Sequence, residues 1–247
     1  ETRGTVFYGF SSFFVVMSRG KLIAIEGTDS SGKATQAKLL VERLQRRGFA
    51  VELVNLPRYH EFFGGLVGRY LAGEFGSKEE LPPEFAALLY SLDRYHLKKE
   101  LEHKLDLGIT FVFDRYTASN LAHQAAKYKN KKEQERFVKW INFVEGRLPK
   151  PSATIFFNLP EEAAQKLMNG KDRKEEYRKG KTKDIHEADI EYLKRTRIIY
   201  KRLARKQKWV WIDVAFKDGK EWVVRSKEEI SEETWKKLVK KMVLSKV

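Results

Sequence analysis

A glycine-rich loop directly follows a short apolar strand near the start of the chain, and its residue types suit phosphate binding. The apolar run covers residues 22–25. Backbone N–H groups of such a loop point at phosphate oxygens, the next helix presents its positive end, and a lysine adds a mobile charge. We therefore predict that this loop binds a nucleoside triphosphate and that its lysine takes part in catalysis. The residues concerned are Gly27, Thr28, Asp29, Ser30, Ser31, Gly32, Lys33, Ala34 and Thr35.

The loop departs from the phosphate-loop pattern at one position. The pattern GxxxxGK(S/T) has a hydroxyl after the lysine that ligates Mg²⁺, but Ala34 stands there and Thr35 comes one residue late. A glycine-rich stretch can also be an ordinary tight turn. The strand before the loop and the helix after it favour the phosphate site.

Charged residues follow two further predicted strands. Asp114 and Arg115 come directly after the run 109–113, and Arg58 follows the run 51–54. Asp114 could hold Mg²⁺ directly or through water, and the planar forks of Arg115 and Arg58 suit a second phosphorylated ligand. An ion pair at a helix start is the alternative interpretation of Asp114 and Arg115. Two phosphorylated ligands meeting at one sheet edge indicate phosphoryl transfer.

An aromatic residue and a guanidinium lie on one side of a predicted helix that begins near residues 82–83. Tyr90 and Arg94 are four residues apart, so they project from the same helix face. Together they could stack a base and hydrogen-bond its edge. Core packing beside a surface charge is the alternative.

Composition sets the limits for class and location. The chain has 247 residues, 42% of them hydrophobic, and no linker-like segment, so one α/β domain is expected. Its net charge of +15 suits nucleotides, nucleic acid or an anionic membrane surface. It contains no cysteine, which fits a reducing compartment, and we predict a cytoplasmic protein.

Strand-like runs alternate with helical patterns along the chain, which predicts a three-layer α/β/α fold of the P-loop NTPase type. Its parallel sheet would have five strands with helices on both faces, from the runs 22–25, 51–54, 109–113, 154–157 and 209–212. Helices are predicted over about 33–47 and from about 82 to 108, the latter with Leu88, Leu92, Leu101 and Leu105 in the core.

The domain is expected to span residues 17–247. Its lid would be residues 168–184, where the apolar stripe vanishes and basic residues dominate. Residues 1–16 form an N-terminal extension that we expect outside the core fold. Their apolar runs are too short and interrupted to span a bilayer, so no membrane association is predicted.

Taken jointly, these motifs resemble the thymidylate kinase family, P-loop enzymes that transfer the γ-phosphate of ATP to dTMP. The likeness runs from about Lys21 to Asp213. It implies Mg²⁺ as cofactor, ATP as co-substrate and a homodimer. The segments that carry it are 25–36 (IEGTDSSGKATQ), 56–59 (LPRY), 71–76 (LAGEFG), 90–95 (YSLDRY), 114–120 (DRYTASN) and 183–187 (KDIHE).

The resemblance also implies how dTMP is held. His123 stands where relatives often have tyrosine or phenylalanine against the sugar, so selectivity for deoxyribose stays open. The implied dTMP contacts are Asp29 near the 3′-hydroxyl and the metal, Arg58 and Arg115 on the phosphate, Tyr90 stacked on thymine, Arg94 at O4, Asn120 at N3, and Ser119 and His123 lining the pocket.

The resemblance further implies that a catalytic cation comes from the lid, because the phosphate loop has no basic residue besides Lys33. The candidates are Arg173, Lys174 and Arg178. Glu187 aligns with an acidic residue that arranges the metal or substrate, so it joins Asp114 and Asp29 as a candidate metal residue.

Three functions stay in play on the sequence alone. ATP-dependent phosphorylation of dTMP to dTDP leads, followed by a deoxynucleoside monophosphate kinase of broader or shifted specificity. The third is a degenerate nucleotide- or nucleic-acid-binding module, suggested by Ala34 and the positive charge. Lys33, Asp114 and Arg115 argue against that module, and the aromatic residues do not form the platform typical of a strand-binding surface.

Overall fold

The computed structural model describes residues 18–76, 80–169 and 190–242. Strands and helices alternate through most of these residues. The strands are β1 (Leu22–Gly27), β2 (Val51–Asn55), β3 (Thr110–Asp114), β4 (Ala153–Asn158), β5 (Val210–Asp213), β6 (Ala215–Asp218) and β7 (Glu221–Val224). The helices are α1 (Lys33–Arg46), α2 (Phe62–Leu71), α3 (Pro83–Asp106), α4 (Thr117–Ala125), α5 (Lys131–Val144), α6 (Glu161–Asn169), α7 (Ile190–Lys206) and α8 (Lys227–Met242).

The first five strands form one parallel sheet in the order β2-β3-β1-β4-β5. The register sets Ile25 of β1 beside Asp114 of β3, and Gly27 beside Phe157 of β4. Because all five strands run the same way, their carboxyl ends share one edge of the sheet, where ligands of open α/β sheets bind. The five-stranded prediction is confirmed.

Both faces of the sheet are covered by helices, which explains why its strands are apolar at successive positions. Ile23 and Ile25 belong to a buried cluster that includes residues of α1 and α8, whereas Leu22 and Ala24 belong to a cluster with α3. A third cluster joins α4, α5 and α7 to Phe156 of β4. The predicted three-layer α/β/α fold is therefore confirmed.

The long helix α3 differs from its sequence interpretation in one respect. Leu101 and Leu105 are buried as expected, but Leu88 and Leu92 are 42% and 39% exposed, so placing these two in the core was wrong. The apolar residues of α3 lie on more than one side of the helix, and the sheet covers only one side.

A β-hairpin that we did not predict follows β5. Its strands β6 and β7 pair antiparallel, with Ala215 opposite Val224, and Trp222 and Val224 pack on the cluster that contains α1 and α8. The sequence holds its signal, because the two-residue turn Gly219-Lys220 has glycine at its first position, where hairpin turns favour a positive φ, and Gly219 has a φ of +58°.

Two predicted segments lie mainly outside the described residues. The proposed extension 1–16 is entirely outside them. The proposed lid 168–184 starts inside α6, which continues to Asn169, and the rest of it is not described. Within the three described ranges, no helix is both long and apolar enough to cross a bilayer.

Candidate functional site

The phosphate loop connects β1 to α1 and needs glycine at both ends. A Cβ on Gly27 would lie 2.7 Å from the carbonyl oxygen of Phe157 and 2.8 Å from Ser31 Oγ, closer than real contacts allow. Gly32 has a φ of +81° and directly precedes the first residue of α1. The loop therefore delivers the chain into the amino end of a helix, where backbone N–H groups are free to bind an anion.

Lys33, the first residue of α1, is folded back onto this loop. It is only 6% exposed, and its Nζ donates to the carbonyl oxygen of Thr28 at 2.7 Å. Burial and the charge of Arg115 lower its pKa to about 8, although Asp29 and Asp114 act in the opposite direction. The lysine is thus held against the loop by a main-chain bond that a phosphate oxygen can replace.

An ion pair joins the loop to the end of β3. The Arg115 backbone N–H donates to Ile25 at 2.9 Å, and its guanidinium pairs with the Asp29 carboxylate. Burial alone would raise the pKa of Asp29, but the charges of Arg115 and Lys33 hold it well below its usual range. Asp29 is therefore ionised. The pair presents a negative charge that can bind a metal ion and a positive charge that can bind a phosphate.

Asp114 contributes an unused acceptor at the same edge. Its Oδ1 is buried and, in the part of the chain that the structure describes, has no hydrogen-bond partner. An unpaired carboxylate oxygen beside a phosphate loop fits Mg²⁺, which binds through one or two carboxylates together with substrate phosphates. Among the described residues, no group of three or more His, Cys, Asp or Glu side chains forms a metal cage on its own.

Arg58 comes to this edge from the end of β2 and is tied to α3. The Leu56 backbone N–H donates to the carbonyl of Asp114 at 3.1 Å, which joins the two strand ends. Asp93 then accepts from Arg58 three times: from the backbone N at 2.9 Å, from Nε at 3.1 Å and, at its carbonyl, from Nη2 at 3.0 Å. Arg58 is thereby positioned by a buried carboxylate.

Arg94 of α3 is almost fully buried, and its guanidinium donates three hydrogen bonds within the protein. Its Nη1 donates to the carbonyl of Tyr90 at 2.8 Å and to Glu145 at 3.1 Å, while Nη2 donates to the carbonyl of Tyr116 at 2.7 Å. Its Nε is buried and has no partner among the described residues. The Nε–H of Arg94 is therefore one donor that a ligand could accept from.

Asn120 of α4 has the complementary unused atom. Its Nδ2 donates to Glu145 at 2.9 Å, to the carbonyl of Ala87 at 3.0 Å and to Ser91 at 3.3 Å. Its Oδ1 is buried and, within the described ranges, unpaired. Since Arg94 and Asn120 bond to the same oxygen of Glu145, a free donor and a free acceptor belong to adjacent side chains.

Ser119 faces the core. Its hydroxyl bonds to Glu26 of β1 and lies 2.8 Å from the Tyr200 hydroxyl. Glu26 also accepts from the Tyr116 backbone N–H at 3.0 Å, and burial raises its pKa above the usual value. Glu26 therefore ties the turn after Arg115 to Ser119 in the first turn of α4.

His123 of α4 links the ion pair to α7. Its Nε2 lies 3.4 Å from Arg115 Nη1, its Nδ1 lies 3.1 Å from the Tyr192 hydroxyl, and that hydroxyl donates to the His123 carbonyl at 3.1 Å.

Tyr90 of α3, the predicted stacking residue, is partly buried and packs on the cluster that holds Val67.

The structure thus groups the residues that sequence reasoning singled out. Lys33, Asp29, Arg115 and Asp114 meet where β1 and β3 end, and His123 adjoins them. Arg94 and Asn120 share a separate buried cluster. Four candidates lie outside the described residues, namely Arg173, Lys174, Arg178 and Glu187.

Sequence reasoning missed three buried carboxylates that hold this site together. Glu26, Asp93 and Glu145 are 0%, 1% and 8% exposed. The sequence did contain a signal for two of them, namely an acidic residue within a segment predicted to be buried. Glu26 continues the apolar strand of residues 22–25, and Asp93 directly precedes Arg94 in a predicted core helix. Acidic residues are seldom fully buried unless they are paired.

Comparison with known proteins identifies relatives of this chain. The thymidylate kinase family model matches residues 25–226. The thymidylate kinase of Plasmodium falciparum is 32% identical over 201 residues, which cover 81% of this chain and 84% of that protein. The human thymidylate kinase is 34% identical over 57% of this chain and 62% of its own length, and that of Danio rerio is 34% identical over 64% and 70%.

A solved structure extends the likeness to the fold. The thymidylate kinase of Candida albicans superimposes with a TM-score of 0.70 at 26% sequence identity, covering 90% of this chain and 92% of that one. The chain therefore belongs to the thymidylate kinase family.

Proposed function

We propose that this protein is an ATP-dependent kinase that phosphorylates dTMP to dTDP. One observation carries the base assignment: among the described residues, a buried N–H of Arg94 and a buried carbonyl of Asn120 have no partner, and both side chains bond to one carboxylate oxygen. Leaving buried polar groups unpaired costs free energy, so the pair favours a ligand that satisfies both.

Thymine has the matching edge. Its O4 accepts a hydrogen bond and its N3–H donates one, so O4 would face Arg94 Nε and N3–H would face Asn120 Oδ1. Cytosine presents an amino donor in place of O4 and an N3 acceptor without a hydrogen. The amino group would face the N–H donor of Arg94, and N3 would face the oxygen acceptor of Asn120. Such mismatches are the strongest means of rejecting a wrong substrate. Tyr90, on the same helix as Arg94, would stack on the ring.

The phosphate groups would lie where the charges are. The loop from Gly27 to Thr35 and Lys33 would hold ATP, with main-chain N–H groups supplying most contacts. Arg58 and Arg115 would bind the dTMP phosphate, Asp29 and His123 would face the sugar, and Ser119 would support the pocket wall. Phosphoryl transfer needs positioning and charge neutralisation more than covalent chemistry, and these residues provide both.

Asp114 fits Mg²⁺ through its unpaired oxygen, and Asp29 and Glu187 are the further candidate metal residues. When bound, Mg²⁺ neutralises charge on the ATP phosphates. Ala34 stands where the phosphate-loop pattern has a serine or threonine hydroxyl that ligates Mg²⁺. Asp114 would therefore contribute more to Mg²⁺ binding than it would if that hydroxyl were present. Arg173, Lys174 and Arg178 are proposed as catalytic cations.

A kinetic panel tests this function. ADP release from ATP should be measured by a coupled assay with dTMP, dUMP, dCMP, dGMP and a thymidine monophosphate analogue bearing a 2′-hydroxyl. We expect dTMP to have the highest kcat/KM, with dCMP at least about 100-fold lower because of the mismatched edge. A better rate with dCMP or dGMP would contradict the proposal.

Two finer proposals concern assembly and location. Leu88 and Leu92 of α3 are exposed, and Phe143 of α5, a helix that contacts α3, is 85% exposed. Large apolar side chains on neighbouring helices favour a homodimer, which sedimentation at several concentrations would test. A monomer at micromolar concentration would contradict it.

Cytoplasmic location stays a prediction from the absence of cysteine.

A further inference from the structure

Glu145 lies behind the two unpaired atoms and bonds to both side chains that carry them. We infer that Glu145 determines base specificity, as a positioning residue that fixes which end of the Asn120 amide faces the base. The inference rests on the proposed function, since it concerns how the same pocket distinguishes thymine from cytosine.

One oxygen of Glu145 collects three donors. Its Oε1 accepts from Ser91 Oγ at 2.8 Å, Asn120 Nδ2 at 2.9 Å and Arg94 Nη1 at 3.1 Å. Glu145 is 8% exposed and directly follows α5. The adjacent residue Val144 accepts from the Tyr95 hydroxyl of α3 at 2.5 Å, so the end of α5 is tied to the helix that carries Arg94.

The amide of Asn120 has only one favourable orientation in these surroundings. Its two ends have nearly the same shape but opposite hydrogen-bonding character. Rotating the amide by half a turn would aim Oδ1 at the Glu145 carboxylate and the Ala87 carbonyl, two groups that only accept. The nitrogen is therefore held against Glu145 and Ala87, and the oxygen is left as an acceptor for N3–H.

Removing the carboxylate would release this orientation. The Ala87 carbonyl, which accepts from Asn120 Nδ2 at 3.0 Å and from Ser91 Oγ at 2.9 Å, would still favour the original amide. The Ser91 hydroxyl can accept from the original amide or donate to a rotated one, so it would no longer distinguish the two orientations. A rotated amide would present N–H to the base, which suits the bare N3 of cytosine. Glu145 also restrains Arg94 through Nη1, so its loss loosens the donor for O4 as well.

The experiment compares kcat/KM for dTMP, dUMP and dCMP in the wild-type protein and in Glu145→Ala. We expect the dTMP-to-dCMP ratio to fall by about 10- to 100-fold, the usual effect of losing buried hydrogen bonds to a charged group. The dTMP-to-dUMP ratio should not change, because uracil and thymine share the O4 and N3–H edge. A ratio of kcat/KM values does not depend on the fraction of active protein, so partial unfolding does not mimic the result.

Ile141→Ala is the matched control. Ile141 lies one turn earlier in α5, is 1% exposed and packs in the cluster beneath the helix, so its truncation weakens packing without removing a hydrogen bond. Its dTMP-to-dCMP ratio should equal that of the wild type. If Glu145→Ala does not fold, Glu145→Gln replaces it, with a smaller expected fall of about threefold, since a neutral acceptor bonds more weakly than a charged one.

The outcomes separate the two proposals. A wild-type protein that prefers dTMP, together with an unchanged ratio in the Glu145 variant, overturns the role of Glu145 and leaves the proposed function intact. An equal change in Ile141→Ala assigns the effect to helix packing and also overturns it. A wild-type protein without preference for dTMP over dCMP overturns the proposed function and this inference together.

Discussion

The phosphate loop and the proposed base pocket around Arg94 are built in opposite ways. The loop relies on main-chain geometry imposed by Gly27 and Gly32, and its Lys33 is held by one bond to a loop carbonyl. The pocket relies on buried side chains, each fixed by several hydrogen bonds to Glu145 or to carbonyls. A phosphate is recognised by charge and by N–H groups that any sequence supplies, whereas a base edge must be recognised by specific atoms.

The largest expected effect comes from the charge in the loop. Lys33→Ala should lower kcat by about 100-fold or more, because a positioned charge that acts on the transferred group is lost. dTMP affinity, measured by calorimetry, should fall far less than kcat, since the hydrogen bonds that position Arg94 and Asn120 do not involve this lysine. A similar loss of dTMP affinity and kcat would erase the distinction between the two regions.

Changes in the pocket should act on binding and stability together. Arg94→Ala should raise the KM for dTMP by about 10-fold or more and lower the free energy of unfolding by about 3–5 kcal/mol, because Glu145 is left buried without its charged partner.

Arg94→Lys is the control for this change, since it keeps the charge near Glu145 but not the planar fork. It should recover part of the stability, read by urea unfolding, and little of the dTMP affinity. Full stability in Arg94→Ala would mean that the buried pair is unimportant.

Lys33 should also make nucleotide binding pH-dependent. Because its pKa is lowered to about 8 in the ligand-free protein, it is partly neutral near that pH, and triphosphate charge should raise the pKa again. ATP binding should then take up about half a proton near pH 8 from this group and almost none near pH 6.5. Calorimetry in buffers of different ionisation enthalpy measures the uptake. Equal uptake by Lys33→Ala would rule out this source.

The smallest effect is expected from a side chain in the loop. Ser31 is 1% exposed, and its Oγ has no hydrogen-bond partner in the described residues. Ser31→Ala should therefore leave the melting temperature equal or slightly higher and change the KM for ATP by less than about threefold, since the main chain binds the phosphates. A large rise in the KM for ATP would show that the loop, too, depends on side-chain recognition.

The two regions also differ in how far the sequence predicts them. The loop, the five strands and residues Asp114, Arg115 and Arg58 follow from local order, because parallel strands bring their ends to one edge. The bonds of Glu145 and Glu26 join residues 25 to 174 positions apart in the sequence, so no local pattern shows them. The hairpin had a local signal in the glycine of its turn, Gly219-Lys220, which we did not use.

A crystal structure with dTMP and ADP bound would test the central claim most directly. The account predicts thymine O4 within about 3.2 Å of Arg94 Nε and N3 within about 3.2 Å of Asn120 Oδ1, with the ADP phosphates on the loop that contains Lys33. A base bound elsewhere, with Arg94 Nε and Asn120 Oδ1 still unpaired, would contradict it.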